Sequence, residues 1–230
     1  AALIAALLGV LLRPKPAAKP VIFELTPPGQ GGFVDLPRIS PDGRRLAFNA
    51  GDSTGTTGIW VRQMNSLQAV RLQGTDGATR PFWSPDSRFV GFSDGNLKKI
   101  AVSGGPAQTL VEGVGLAVGT WSRDGVIVFA RQPQNGVALF RVPASGGTPA
   151  PLMELDAGGK EISHFWPYFL PDGKHFLFSV FSSTPENAGI YVGSLDSKDK
   201  KLVLNATTST VAYVAPGYLL FTRQSTLMVQ

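Results

Sequence analysis

The sequence predicts an all-β propeller built from four-stranded antiparallel blades. Three observations carry this. A tight-turn signature recurs every 38 to 48 residues, a hydrophobic run closed by an aromatic follows each copy, and two further strand-like segments follow each run. The turns are Ser40-Pro-Asp-Gly43, Ser84-Pro-Asp-Ser87, Ser122-Arg-Asp-Gly125, Leu170-Pro-Asp-Gly173 and Ala215-Pro-Gly217. Repeats of about 40–45 residues with four strands apiece are the signature of propeller blades.

The turn composition has a direct physical reading. Proline presets φ for the second turn position, Asp can accept a nearby backbone N–H, and Gly accommodates positive φ. The runs that follow are Arg45–Phe48, Phe89–Phe92, Val126–Phe129, His175–Phe178 and Tyr218–Phe221, so an aromatic closes each at one phase, suited to packing between blades. A third strand is expected at Gly58–Arg62, Leu97–Ala101, Ala138–Val142, Gly189–Gly193 and Thr226–Gln230. A short fourth is expected at Ala69–Leu72, Ala107–Leu110, Pro149–Leu152 and Lys201–Leu204. The first strand of the next blade carries Trp83, Trp121, Tyr168-Phe169 or Tyr213 just before its turn. Four full blades and most of a fifth are therefore expected within a domain spanning 21–230. Val21–Leu25 reads as a stray strand that could complete blade five, and the ring is otherwise expected to be an incomplete piece of a larger propeller.

Composition agrees. The chain has 230 residues, 27 Gly and 18 Pro, and 43% apolar residues, which suits a turn-rich globular β protein rather than a disordered one. With no Cys, disulfide scaffolds, thiol nucleophiles and cysteine metal sites are excluded. Two histidines, His164 and His175, cannot make a three-histidine metal site. The net charge of +5 owes three units to Arg13, Lys15 and Lys19, leaving +2 for the remainder. The densest basic run, Lys198-Asp-Lys-Lys201, is broken by an acid, so no stripe for nucleic acid is present.

Residues 1–12, AALIAALLGVLL, form an apolar segment without charge, followed by a Pro/Lys spacer at 13–20. A span needs about 20 apolar residues, so this reads first as the end of a truncated transmembrane helix. A signal-peptide core and a short buried helix are the other readings. The spacer is stiff and extended, and the chain is expected to be tethered to a membrane through the N-terminal helix.

Ile39-Ser-Pro-Asp-Gly-Arg-Arg-Leu-Ala-Phe48 and Phe82-Trp-Ser-Pro-Asp-Ser-Arg-Phe-Val-Gly-Phe92 resemble the repeat of TolB-like propellers, with departures at Ser87, Arg123 and the acid-free Ala215-Pro-Gly217. The resemblance covers residues 33–230. A narrower resemblance rests on the apolar segment and spacer, Phe23-Glu-Leu-Thr-Pro-Pro28, Trp60-Val-Arg62, Arg141-Val-Pro-Ala-Ser-Gly-Gly147 and Gly189-Ile-Tyr-Val-Gly-Ser-Leu195. It is similar to the propeller region of membrane-anchored bacterial serine/threonine protein kinases. That resemblance implies a kinase domain and one membrane helix upstream, with a periplasmic or extracytoplasmic propeller acting as sensor.

Within the chain no catalytic motif is found: there is no Gly-x-Ser-x-Gly elbow, Gly113-Val-Gly115 with Gly119 has the wrong spacing for a dinucleotide loop, and Gly158-Gly-Lys160 lacks the upstream Gly of a phosphate loop. A TolB-like scaffold and the gating propeller of a prolyl oligopeptidase-type hydrolase remain alternatives. No cofactor is expected. The repeated Asp42, Asp86, Asp124 and Asp172 read as turn residues. Asp35, Arg80 and His164 lie where loops enter innermost strands and are the candidate binding residues, facing an unknown protein or small ligand at the channel mouth. The four tryptophans recur near matching phases and are expected to pack between blades.

Overall fold

The computed structural model describes residues 24–26, 34–52, 54–115, 117–132, 136–156, 158, 160–205, 210–223 and 226–230. The apolar segment expected at 1–12, the spacer at 13–20 and most of the stray strand at 21–25 lie outside these. Among the described residues no helix is long and apolar enough to cross a membrane.

The blades are as expected. Blade one comprises β1 (Val34–Ile39), β2 (Arg45–Gly51), β3 (Thr57–Gln63) and β4 (Ala69–Arg71). Blade two comprises β5 (Thr79–Trp83), β6 (Phe89–Ser93), β7 (Gly95–Ala101) and β8 (Gln108–Gly115). Blade three has β9 (Gly119–Trp121), β10 (Val126–Arg131), β11 (Ala138–Pro143) and β12 (Ala150–Met153). Blade four has β13 (Glu161–Phe169), β14 (His175–Ser182), β15 (Gly189–Ser194) and β16 (Lys200–Leu204), and blade five shows β17 (Val211–Val214), β18 (Tyr218–Arg223) and β19 (Thr226–Val229). Each blade is an antiparallel meander in chain order.

Every signature turn closes with the same hydrogen bond, the fourth residue's N–H donating to the first residue's carbonyl. The distances are 2.8 Å for Gly43 to Ser40, 2.9 Å for Ser87 to Ser84, 3.2 Å for Gly125 to Ser122, 3.0 Å for Gly173 to Leu170 and 3.1 Å for Gly217 to Val214. Position four has positive φ in the first four turns, and in blade two a non-glycine, Ser87, adopts φ 59°. Ser87 Oγ accepts the Asp42 N–H at 3.1 Å, and its carbonyl accepts Arg45 Nη1 at 3.1 Å. The left-handed serine thus ties blade two to the turn of blade one.

The serine that opens the turn also works inward. Ser84 Oγ accepts the Phe89 N–H at 2.8 Å and donates to Asp86 at 2.6 Å, and Ser40 makes the same pair with Arg45 and Asp42. Blade four has Leu170 in this place, and there Asp172 itself accepts the His175 N–H at 2.9 Å. The four aspartates are therefore placed in turns of separate blades, and among the described residues no group of three or more His, Asp or Glu gathers to hold a metal.

The core is a set of seams between neighbouring sheets. Phe92, Phe129, Phe178 and Phe221 each enter one of four inter-blade clusters, and each is at most 3% exposed. Burying one such ring contributes roughly 2–3 kcal/mol, so the aromatic that closes each repeat is a substantial part of each seam. Phe48 occupies the remaining face of blade one, in a cluster that Leu25 joins. Arg62 Nη1 donates to the Glu24 carbonyl at 2.9 Å, so Glu24 and Leu25 contact blade one.

Candidate functional site

The first strand of each blade is innermost, and together these five strands surround a hollow of about 960 Å³. Its wall includes Leu36, Arg38, Arg80, Trp166, Tyr168 and Tyr213, so blades one, two, four and five all reach it, and blade three adds Thr120.

The same irregularity occurs in three of these strands. The ladder slips between Asp35 and Arg38, between Thr79 and Phe82, and between Phe165 and Tyr168. At each slip a residue with positive φ precedes a proline: Leu36 at 49°, Arg80 at 57° and Trp166 at 56°. A residue before proline ordinarily stays extended, and a left-handed non-glycine costs about 1–3 kcal/mol. All three strained side chains line the hollow. Three strained residues thus stand in register in the wall of one cavity.

Blade equivalence follows from the slips. Leu36, Arg80 and Trp166 occupy one level, and two residues further on Arg38, Phe82 and Tyr168 occupy the next. Across the first level the Arg80 guanidinium lies 5.9 Å from the Trp166 ring centroid, joining blades two and four. At the second level Arg38 of blade one interacts electrostatically with the Tyr168 phenol of blade four, whose Oη donates to the Tyr213 carbonyl of blade five at 3.4 Å. Burial lowers the pKa of Arg38, opposed by Tyr168 and Asp35, and lowers that of Arg80, opposed by Asp35; both stay cationic at any ordinary pH. Burial likewise raises the Tyr168 phenol against the pull of Arg38.

The three sequence candidates go to different places. Arg80 faces the hollow. Asp35 stands one residue before the strained position, exposed, its Oδ1 accepting the Leu36 N–H at 2.8 Å. His164 lies two residues before it, at the level of Ala78, and both are fully buried. The structure therefore does not bring His164 to the mouth. Its N–H donates to the Val137 carbonyl of blade three at 2.7 Å, its ring packs edge-on against Phe178, and its Nε2 pairs with Glu161 at 2.9 Å. Burial opposes ionisation of Glu161, yet hydrogen bonds from His164 and Lys200 outweigh it and hold the carboxyl at about 2.

Arg38, Trp166 and Tyr168 are binding candidates that only the structure adds. Each sits in an X-Pro-X stretch, Leu36-Pro37-Arg38, Trp166-Pro167-Tyr168 and, with Arg80, Arg80-Pro81-Phe82, and that repeated proline was the available signal. Of the tryptophans, Trp83 and Trp121 pack between blades as expected and Trp60 lies in the blade-one cluster, whereas Trp166 turns inward.

No protein-family model matches the sequence, and no curated protein matches it. Solved structures do match in shape. A protein described as a TolB of Agrobacterium tumefaciens superposes with TM-score 0.64 at 15% identity, over 76% of this chain and 68% of that one. TolB of Acinetobacter baumannii gives 0.63 at 13% identity, over 84% of this chain and 52% of that one. The chain has a TolB-like β-propeller fold. A structure from a study of two prolyl endopeptidases also matches, with TM-score 0.58 at 14% identity, over 86% of this chain but 33% of that one. The chain thus spans about half of the Acinetobacter protein and a third of the endopeptidase chain. At these identities the likeness shows the fold alone.

Proposed function

We propose that this chain is a binding propeller that takes its ligand in the central hollow. One observation carries the reading: three blades hold strained residues at the same level, and all three side chains line one cavity. The hollow, at about 960 Å³, has the size of a small-molecule site. In this reading the chain binds and does not catalyse, and any chemistry belongs to domains attached to it.

The finer reading makes the propeller the extracytoplasmic sensor of a membrane-anchored bacterial serine/threonine kinase. It is supported by the apolar run at 1–12, the Pro/Lys spacer and the sequence wording shared with that group. A ligand in the hollow would bias the receptor by binding one of its two states more tightly. The TolB-like folds favour a second reading, a periplasmic protein-interaction scaffold, and the endopeptidase likeness a third, the gating propeller of a hydrolase.

The intact gene on both sides of these residues discriminates among them. A kinase domain and completed helix upstream support the sensor. A bare signal peptide supports the scaffold, and a nucleophile elbow downstream supports the hydrolase. Thermal-shift titration with fractionated envelope extract tests the binding reading itself. Stabilisation of the native chain that is lost in Trp166→Ala supports it, and equal shifts in both chains refute it.

A further inference from the structure

Charge around the hollow is one-sided. Among the described residues its wall presents the guanidinium groups of Arg38, Arg80 and Arg123 and no carboxylate. Arg123 is engaged at the turn end, its Nη2 donating to the Asp172 carbonyl at 2.6 Å. Asp35, which interacts electrostatically with Arg38 and Arg80, is exposed and not part of the wall. Arg38 and Arg80 are half-buried, Arg80 over the Trp166 ring and Arg38 in the same wall as Tyr168, with which it interacts electrostatically. Cations stripped of part of their hydration, in a wall whose described residues include no carboxylate, create a site that favours an incoming anion.

The shape of these groups narrows the class. A guanidinium presents a planar fork that matches an oxyanion through two parallel hydrogen bonds. The rest of the wall near them is aromatic, with Trp166 and Tyr168 offering ring faces. We propose that the hollow binds a small organic oxyanion, a carboxylate or a phosphate ester carried on a planar apolar body. The oxyanion lies between the forks of Arg38 and Arg80 and the body stacks on Trp166. This rests on the hollow being the ligand site, as proposed above.

The test uses three probes of one shape on the full chain: 2-naphthoate, 2-naphthyl phosphate and the neutral 2-naphthamide, titrated by ligand-observed NMR. At least one anion should bind about tenfold or more tightly than the amide, since charge-assisted hydrogen bonds contribute at least that much. The tighter of the two anions identifies the head group. Arg38→Gln and Arg80→Gln should each weaken anion binding by about tenfold, with Arg80→Lys intermediate because it keeps charge but loses the fork. Trp166→Leu should weaken all three probes. Thermal unfolding of each variant, unchanged within a few degrees, separates lost contacts from lost fold.

Equal affinity for the amide and both anions would overturn the charge inference while leaving the hollow as a ligand site. Anion binding indifferent to Arg38, Arg80 and Trp166 would overturn it by placing the anion elsewhere. No binding of any probe at millimolar concentration would also overturn it, and the extract titration would then decide whether the hollow binds other ligands.

Discussion

Gly91→Ala is the sharpest test of how the innermost strands are packed. Gly91 of β6 is the direct cross-strand partner of Phe82 in β5. A Cβ there would stand 2.2 Å from Phe82 Cζ and 2.4 Å from Cε2, where carbon atoms settle at about 3.5–4.0 Å. The same end of the ring already lies close against Gly119 of blade three, where a Cβ would stand 2.8 Å from Cε1 and Cζ, so little room remains on that side. Phe82 must therefore shift by more than 1 Å or swing into the hollow, giving up a site where it is 6% exposed. Overpacking costs about 1–3 kcal/mol, and ejecting the ring approaches the roughly 3–5 kcal/mol of deleting it, so about 3 kcal/mol is expected. Urea unfolding followed by circular dichroism reads this as a fall in midpoint with unchanged slope. Phe82→Leu in the Gly91→Ala background should recover about half of the loss, a coupling that distant sites do not show. A penalty below about 0.5 kcal/mol, or strictly additive substitutions, would refute the packing argument.

Glu161→Gln should cost about 3 kcal/mol at pH 7, because a carboxyl held at about 2 instead of 4.5 contributes that much above its unfolded pKa. That contribution is lost as pH falls from about 4.5 towards 2, so unfolding curves of native and variant chains should converge over that window. Ser84→Ala removes the acceptor for the Phe89 N–H and should cost about 1 kcal/mol, whereas Leu170→Ser should change little, because Asp172 already holds the His175 N–H. Trp83→Phe deletes the 2.8 Å bond from Nε1 to the Arg38 carbonyl between blades one and two and should cost about 1 kcal/mol in thermal unfolding. Arg80→Gly should relieve a positive-φ strain of about 1 kcal/mol and so leave the thermal midpoint unchanged or raised, while weakening the naphthoate probe.

The fold was legible because each blade repeats local chemistry that a sequence displays directly. Turn residues report φ preferences, and a period-two run closed by Phe reports the seam. Even the departures have local causes. Ser87 stands where glycine is expected, and its hydroxyl makes a bond to blade one that glycine could not. Gly91 stands where blade one has Ala47, and its cross-strand partner is Phe82 rather than Arg38. The glycine opposite Phe82 is a pairing that becomes visible only once the register is known.

The site was less legible because a one-residue offset decides which way a strand residue points. Asp35, Arg80 and His164 all lie where loops enter innermost strands, yet relative to the proline they fall at minus two, minus one and minus three. Only the residue directly before the proline takes the left-handed turn into the hollow. His164, two places before that turn, is carried into the seam with blade three, where its Nε2 pairs with Glu161, which Lys200 holds in turn. Arg38, one place beyond the proline, returns to the hollow because the slip restores the alternation two residues later. The bulge therefore does two things at once. It breaks the inner ladder that would otherwise present alternating side chains evenly, and it sets Arg80 and Trp166 of non-adjacent blades within 5.9 Å of each other. A propeller with regular inner strands would have the same seams and the same stability from its phenylalanines, but no reason to hold a cation against an aromatic ring across its axis.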